Sequence, residues 1–330
     1  MTKKIKPPVK KRLTTAIEWV LNSDGTAGYA INLWIGCSKI SPACDNCYAE
    51  ISRVSTCMGV KWGNDAERKK CNPYKKLTAI NKKAAKQGIR IRVFINPDSD
   101  IFDNKAPQEW RNEFWDFIES TPCIDYILVT KRIGNAKFML SGNDCVGYVL
   151  PKNVWIMITV CNQAEADRDI PKLLELDVTV RGLSIEPLLG EIDFLKIDGV
   201  MIGGACGGGG ETGAVEYDFE CSLNWIIIGG ESGKNARPMN SHWARKIRDQ
   251  CVGAGVSMFF KQWGEWVGEF DNQVDFFEHD DVPSYFFQNN IPPYSFKDNL
   301  PNSGWMYRVG KKLAGNLLDG QVWQQMPELK

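Results

Sequence analysis

The chain has 330 residues, 43% hydrophobic and 24% charged, enough to bury one large α/β core or two ordinary domains. Forty basic residues balance forty acidic ones, so no global charge draws the protein to nucleic acid or a membrane. No apolar run reaches the roughly 18 residues a spanning helix needs. The basic start MTKKIKPPVKKR has no apolar h-region behind it, so the expectation is a cytoplasmic protein with no membrane partner.

In chain order, residues 1–28 read as a basic arm (Lys3, Lys4, Lys6, Lys10, Lys11, Arg12) and a short amphipathic helix from Thr15 to Leu21. Seven apolar, β-rich runs follow: Tyr29–Ile35, Ile91–Ile95, Tyr126–Val129, Val154–Val160, Val178–Ile185, Trp225–Ile228 and Ser257–Phe260. Helix signals fall between them, with Pro107 near one first turn, Asn162 as the cap of another, and a third from Ser241 to Cys251. Short apolar strands alternating with helices predict a parallel sheet. Seven such units over 29–264 predict a TIM-type (β/α) barrel or partial barrel. No Gly-x-Gly-x-x-Gly follows the first strand, which argues against a dinucleotide-binding sheet. Residues 203–222 are too glycine-rich for an element interior and read as a loop insertion. Residues 265–330 read as an aromatic-rich C-terminal extension packing on the barrel. The twelve tryptophans are expected mainly in the core, with stacking on bases as the minority role.

Chemistry in a parallel barrel gathers where strands end. The residues there are polar in every unit: Asn96, Asp98 and Ser99, then Lys131, Thr159, Glu186, Glu231, and last Lys261 with Gln262. Loops are polar in general. Carboxylates and lysines placed directly at apolar strand ends are nonetheless expected to be partly buried, to need partners and to line one pocket.

The stretch GCSKISPACDNCYAE follows the first run and spaces Cys37, Cys44 and Cys47 as C-x6-C-x2-C. Eleven cysteines, an odd number without a secretory signal, argue against a disulfide framework. Four readings stand. The thiols could be free, or Cys44 and Cys47 could form a redox pair that leaves Cys37 without a role. With Cys57 they could close a zinc site, although the usual second C-x2-C is missing and His242 and His279 lie far away. Or the three could hold a [4Fe–4S] cluster with one iron open. A cluster on the loop after the first strand is similar to the arrangement of radical S-adenosylmethionine enzymes.

Over most of its length, residues 30–320, the chain resembles the phage-associated three-Cys-motif proteins, a radical-SAM-like family. The blocks that carry this are Gly36–Glu50, Thr130-Lys131-Arg132, Leu183–Gly190, Trp225–Gly233, Ala236-Arg237-Pro238, Arg248–Cys251, Phe259–Trp266 and Leu318-Asp319-Gly320. Radical SAM enzymes use C-x3-C-x2-C; here the first gap is six residues. The resemblance implies a cluster on Cys37, Cys44 and Cys47, and S-adenosylmethionine held by Asn96, Asp98, Ser99, Lys131, Thr159 and Glu186. Glu231, Lys261 and Gln262 would face the substrate. It further implies an electron donor such as flavodoxin or ferredoxin. Nucleic acid is the expected substrate, from the basic arm and from the Thr-Lys and Ser-Ile-Glu-Pro elements, which are similar to those of radical SAM DNA-repair lyases. The competing expectation is a zinc-stapled, non-enzymatic interaction protein.

Overall fold

The structure is a computed structural model and describes residues 14–141, 150–197, 223–268, 294–295 and 305–328. The basic arm, the glycine-rich insertion and most of 269–304 lie outside the described residues.

The chain opens with β1 (Tyr29–Ile31), then β2 (Trp34–Ile35), α1 (Arg53–Cys57), β3 (Lys69–Lys70) and α2 (Tyr74–Gln87). Strand and helix then alternate through β4 (Ile91–Ile95), α3 (Gln108–Ile118), β5 (Ile124–Thr130), α4 (Ala136–Ser141), β6 (Val154–Ile158), α5 (Gln163–Leu174), β7 (Val180–Ile185), β8 (Trp225–Gly229), α6 (Ser241–Ala254) and β9 (Ser257–Gln262). One seven-stranded parallel sheet runs β1-β4-β5-β6-β7-β8-β9 and curls into a half-barrel flanked by helices. Its order never reverses, whereas a doubly wound sheet needs a reversal at its switch point.

Side chains alternate across the sheet, as the period of two requires. On β6, Val154, Ile156 and Ile158 pack outward with Leu77 of α2, Phe114 of α3, Ile170 of α5 and Ile247 of α6. Trp155 and Met157 point the other way and join Phe94, Ile127, Trp225 and Phe259 in a second cluster on the concave side. Trp19 completes that cluster, 5.1 Å from Phe94 and 6.0 Å from Trp225. Local signals set the helix ends. Asn162 accepts from Glu165 N–H at 3.0 Å to open α5, Asn240 accepts from His242 N–H at 2.9 Å to open α6, and α2 and α6 stop at left-handed Gly88 and Gly255.

Two expectations need correction. Thr15–Leu21 is not a helix: it turns at 18–19 and bridges Leu21 to Ala27, with Gly28 N–H donating to Val20 O at 2.8 Å. Seven residues cannot sustain a helix alone, and burying Trp19 between Phe94 and Trp225 outweighs local periodicity. Nor is Tyr29–Ile35 one strand. After Ile31 the chain leaves the sheet, because Leu33 N–H donates to Asn96 Oδ1 at 2.7 Å, and Trp34 and Ile35 pair antiparallel with Lys70 and Lys69.

The C-terminal region holds an antiparallel set of β10 (Trp266–Gly268), β11 (Tyr294–Ser295) and β12 (Trp305–Arg308), then α7 (Lys311–Ala314) and a hairpin of β13 (Leu317–Leu318) and β14 (Gln321–Val322). Beyond the hairpin the chain lies along β9. Phe260 N–H donates to Trp323 O at 2.7 Å and Gln325 N–H to Met258 O at 3.0 Å, which covers that sheet edge. No helix among the described residues is long and apolar enough to cross a membrane.

Candidate functional site: a cysteine-lined cavity at the mouth of the half-barrel

Parallel strands all end on one rim, so the groups after them converge. At that rim lies a cavity of about 430 Å³. Every site residue expected from the sequence lines it except Asp98. Asp98 is buried and works from behind: it accepts from Asn32 Nδ2 at 2.8 Å, while its own N–H donates to Asn32 Oδ1 at 3.0 Å.

One wall is the cysteine loop. Ser41 caps a single 3₁₀ turn, accepting from Ala43 N–H at 3.0 Å, and Cys44 and Cys47 follow within it and just after it. Cys44 is buried, Cys37 and Cys47 are half-buried, and Cys57 is exposed on α1. Among the described residues, no three Cys, His, Asp or Glu side chains stand close enough together to hold a metal ion in this arrangement.

Behind Cys37 sits a buried cation. Arg132 donates from Nη1 to Cys37 Sγ at 3.2 Å and from Nη2 to both the carbonyl and hydroxyl oxygens of Ser38 at 2.8 Å. Asp100 anchors it: Oδ2 lies 3.5 Å from Arg132 Nη1 and accepts from Lys131 N–H at 2.9 Å, while Oδ1 accepts from the Thr130 hydroxyl at 2.7 Å. Burial, with Asp100 adding to it, pushes the Cys37 thiol up to about 12, and Arg132 opposes both.

Asn96 directly follows β4 in the left-handed region, at φ 59°. Its Oδ1 receives Leu33 N–H, tying the end of β4 to the chain that leads into the cysteine loop. Its Nδ2 is buried with no partner. The Ser99 hydroxyl donates to Trp34 O at 2.8 Å and strengthens the same junction.

Across the cavity, Glu186 accepts from Lys261 Nζ at 2.9 Å and from Trp19 Nε1 at 3.2 Å. Burial works against the Lys261 charge, yet the Glu186 carboxylate holds its ammonium above the ordinary lysine range. Gly229 makes this pair possible, since a Cβ there would sit 2.8 Å from Glu186 Oε1. At Gly230 a Cβ would lie 1.8 Å from the Trp263 carbonyl oxygen, so that position admits only glycine. Glu231 accepts from Arg237 at three donors, Nη2 at 2.6 Å, N–H at 2.8 Å and Nε at 2.9 Å, and from Asn46 Nδ2 at 3.0 Å. Burial alone would raise the Glu231 carboxyl; these bonds hold it below the ordinary range. Arg237 also reaches Asp45 Oδ2 at 3.0 Å and Pro42 O at 2.9 Å, so it clamps the cysteine loop onto the β8 loop. Gln262 spends its amide on Gly230 O at 2.9 Å, Ser232 Oγ at 3.3 Å and Gly264 N–H.

Charge matching leaves a remainder. Lys39 pairs with Glu50 at 3.3 Å, Lys311 with Glu18 at 3.8 Å, Lys261 with Glu186 and Arg132 with Asp100. Among the described residues lining the cavity, Lys131 is the cation with no carboxylate within 4.0 Å. Sequence reasoning missed Trp19, Asn46 and Arg237 as parts of the site, and it named Asp100 and Arg132 only as members of the strand-end stretches, without a role. Arg132 and Arg237 stood inside the blocks that carry the resemblance, but nothing local marks Trp19.

Fold and site together define a parallel α/β half-barrel protein with a thiol-rich, ion-paired cavity where its strands end. The chain belongs to the family described as Protein of unknown function (DUF5131), whose model matches residues 14–327. No curated protein and no solved structure matches it.

Proposed function

We propose that this protein is a radical S-adenosylmethionine enzyme built on part of a TIM-type barrel. The observation that carries the reading is the position of three thiols from one βα loop, all lining the cavity at the strand ends. Thiolates are the ligands iron–sulfur clusters use, and a buried cation already faces one of the sulfurs. The donor set therefore fits a [4Fe–4S] cluster in kind and location. Drawing the three sulfurs together would be coupled to binding, as loop ordering and metal binding usually are.

When bound, such a cluster would pass one electron, delivered by a flavodoxin- or ferredoxin-type donor, to S-adenosylmethionine, splitting the C5′–S bond into methionine and a 5′-deoxyadenosyl radical. The protein's part is binding and orientation. The volume of about 430 Å³ suits a cofactor-sized ligand. Lys131 offers an unmatched ammonium for a carboxylate, and Asn96, Ser99 and Thr159 bring amide and hydroxyl groups to the lining of the same cavity. Phe94 and Trp19 supply an apolar floor that excludes water.

We extend the reading to a nucleic-acid substrate. Lys39 and Lys311, both half-exposed on the cavity wall, could meet phosphates, together with the basic N-terminal arm. Stacking adds little support, since eight of the twelve tryptophans are buried and Trp305 is the exposed one.

Anaerobic purification with iron, sulfide and zinc assays, then S-adenosylmethionine and dithionite, tests the first step. About four irons per chain and release of 5′-deoxyadenosine are expected, with iron lost in Cys37→Ala, Cys44→Ala and Cys47→Ala. One zinc and no iron would overturn the reading in favour of a zinc-stapled interaction protein. Failure to bind any tRNA or DNA at low salt would remove the nucleic-acid step alone.

A further inference from the structure

Arg132 is buried, its side chain 6% exposed, and its guanidinium is held in one orientation by four acceptors on two separate segments, the cysteine loop and the loop after β4. Ser38 takes one arm with two oxygens at 2.8 Å. The other arm points between Asp100 Oδ2 at 3.5 Å and Cys37 Sγ at 3.2 Å. Arg132 N–H also donates to the Thr130 hydroxyl at 2.9 Å, and that hydroxyl donates to Asp100, so the backbone and head group of Arg132 are locked by one carboxylate. A buried guanidinium needs negative charge around it. Asp100 supplies one at a long distance and already serves Lys131 N–H, Phe102 N–H and Thr130. The closer contact goes to sulfur, which becomes a strong acceptor only as a thiolate ligand.

Building on the cluster reading, we propose that Arg132 is a positioning and tuning residue. It aims one N–H at the Cys37 sulfur and raises the reduction potential of the metal centre held there. Reduction adds one electron, and so one negative charge, to the centre. A fixed cation and a hydrogen bond to a ligand sulfur favour the more negative state. The same fork fixes Ser38 beside Cys37, so this first thiol is held in place while the rest of the loop closes.

The test is an EPR-monitored redox titration of the reconstituted full-length protein, with dithionite as reductant and iron content measured in parallel. Arg132→Met is expected to keep most of its iron and to become about tenfold harder to reduce, a downward shift of about 59 mV for one electron. Arg132→Lys keeps the charge but not the fork and is expected to recover part of the potential. Should Arg132→Met fail to fold, Asp100→Asn reads the same coupling with the opposite sign, because removing the competing anion raises the potential. An unchanged potential in a folded, iron-loaded variant would overturn this inference and leave the cluster reading standing. Wild-type protein that takes up no iron would overturn both.

Discussion

Asn46 and Glu231, 185 residues apart, meet at 3.0 Å across the mouth of the half-barrel. Asn46 stands between Cys44 and Cys47, and Glu231 stands on the loop after β8. Arg237 bonds the same carboxylate and also the Pro42 carbonyl and the Asp45 carboxylate. The cysteine loop is thus held from outside by a polar clamp, because it has few apolar residues with which to hold itself.

Glu231→Gln is expected to destabilise the fold by about 2 kcal/mol, the scale of hydrogen bonds to a charged group. The effect should depend on pH. The folded pKa of Glu231 lies below its unfolded value, so the clamp contributes fully above the unfolded pKa, about 4.3. That contribution disappears as pH falls through the folded value. Urea denaturation at pH 7 and pH 3 checks this: the gap between wild type and Glu231→Gln should narrow at pH 3. A constant gap would refute the clamp.

Lys261→Met would leave the Glu186 carboxylate largely buried, facing only the Trp19 indole N–H. Removing one partner of a buried pair costs about 3–5 kcal/mol at full burial, and roughly 2 kcal/mol is expected at this cavity edge. Lys261→Met with Glu186→Leu should be less destabilising than Lys261→Met alone. Chemical denaturation of the four members of the cycle measures the coupling.

The two glycines before Glu231 should differ sharply. At Gly230 an added methyl meets a backbone carbonyl at 1.8 Å, which cannot yield without separating the β8 loop from β9. At Gly229 it meets the tip of the Glu186 side chain at 2.8 Å, which can rotate away at the expense of the Lys261 pair. Gly230→Ala is therefore expected to abolish soluble folded protein, whereas Gly229→Ala folds with a lower Tm. Equal melting temperatures would contradict the geometry.

Trp19→Ala removes the ring that fills the concave side between Phe94 and Trp225. A loss of about 3–5 kcal/mol is expected for so large a core truncation. Trp19→Phe keeps an aromatic ring, but it loses the bond to Glu186 and the extra volume of the indole, so a smaller loss of about 2 kcal/mol is expected. Urea midpoints at constant m separate the two.

Much of the sheet was legible. Each of the seven apolar runs coincides with or overlaps a strand of the parallel sheet, because strands covered on both faces are largely apolar. Asn162 and the region from Ser241 opened helices as their residue types suggest. The polar residues after each run reached one cavity because parallel strands end on one rim. The exceptions have physical causes. Tyr29–Ile35 breaks after Ile31 because Asn96 takes the Leu33 N–H, a bond between residues 63 apart that no local pattern reveals. Asp98 looks like its neighbours in sequence, but its pairing with Asn32 turns it away from the cavity.

The alternation of strand and helix, the rim on which the polar groups gather, and the C-x6-C-x2-C loop placed there are written in the sequence alone. These follow from periodicity and chain direction, which are local properties. Only the tertiary structure decided which charges cancel. It paired Lys261 with Glu186 and Arg237 with Glu231, set Arg132 against Cys37 and left Lys131 unmatched. Partner choice between buried charges depends on which side chains meet when the sheet curls, and that curvature is a property of the whole chain.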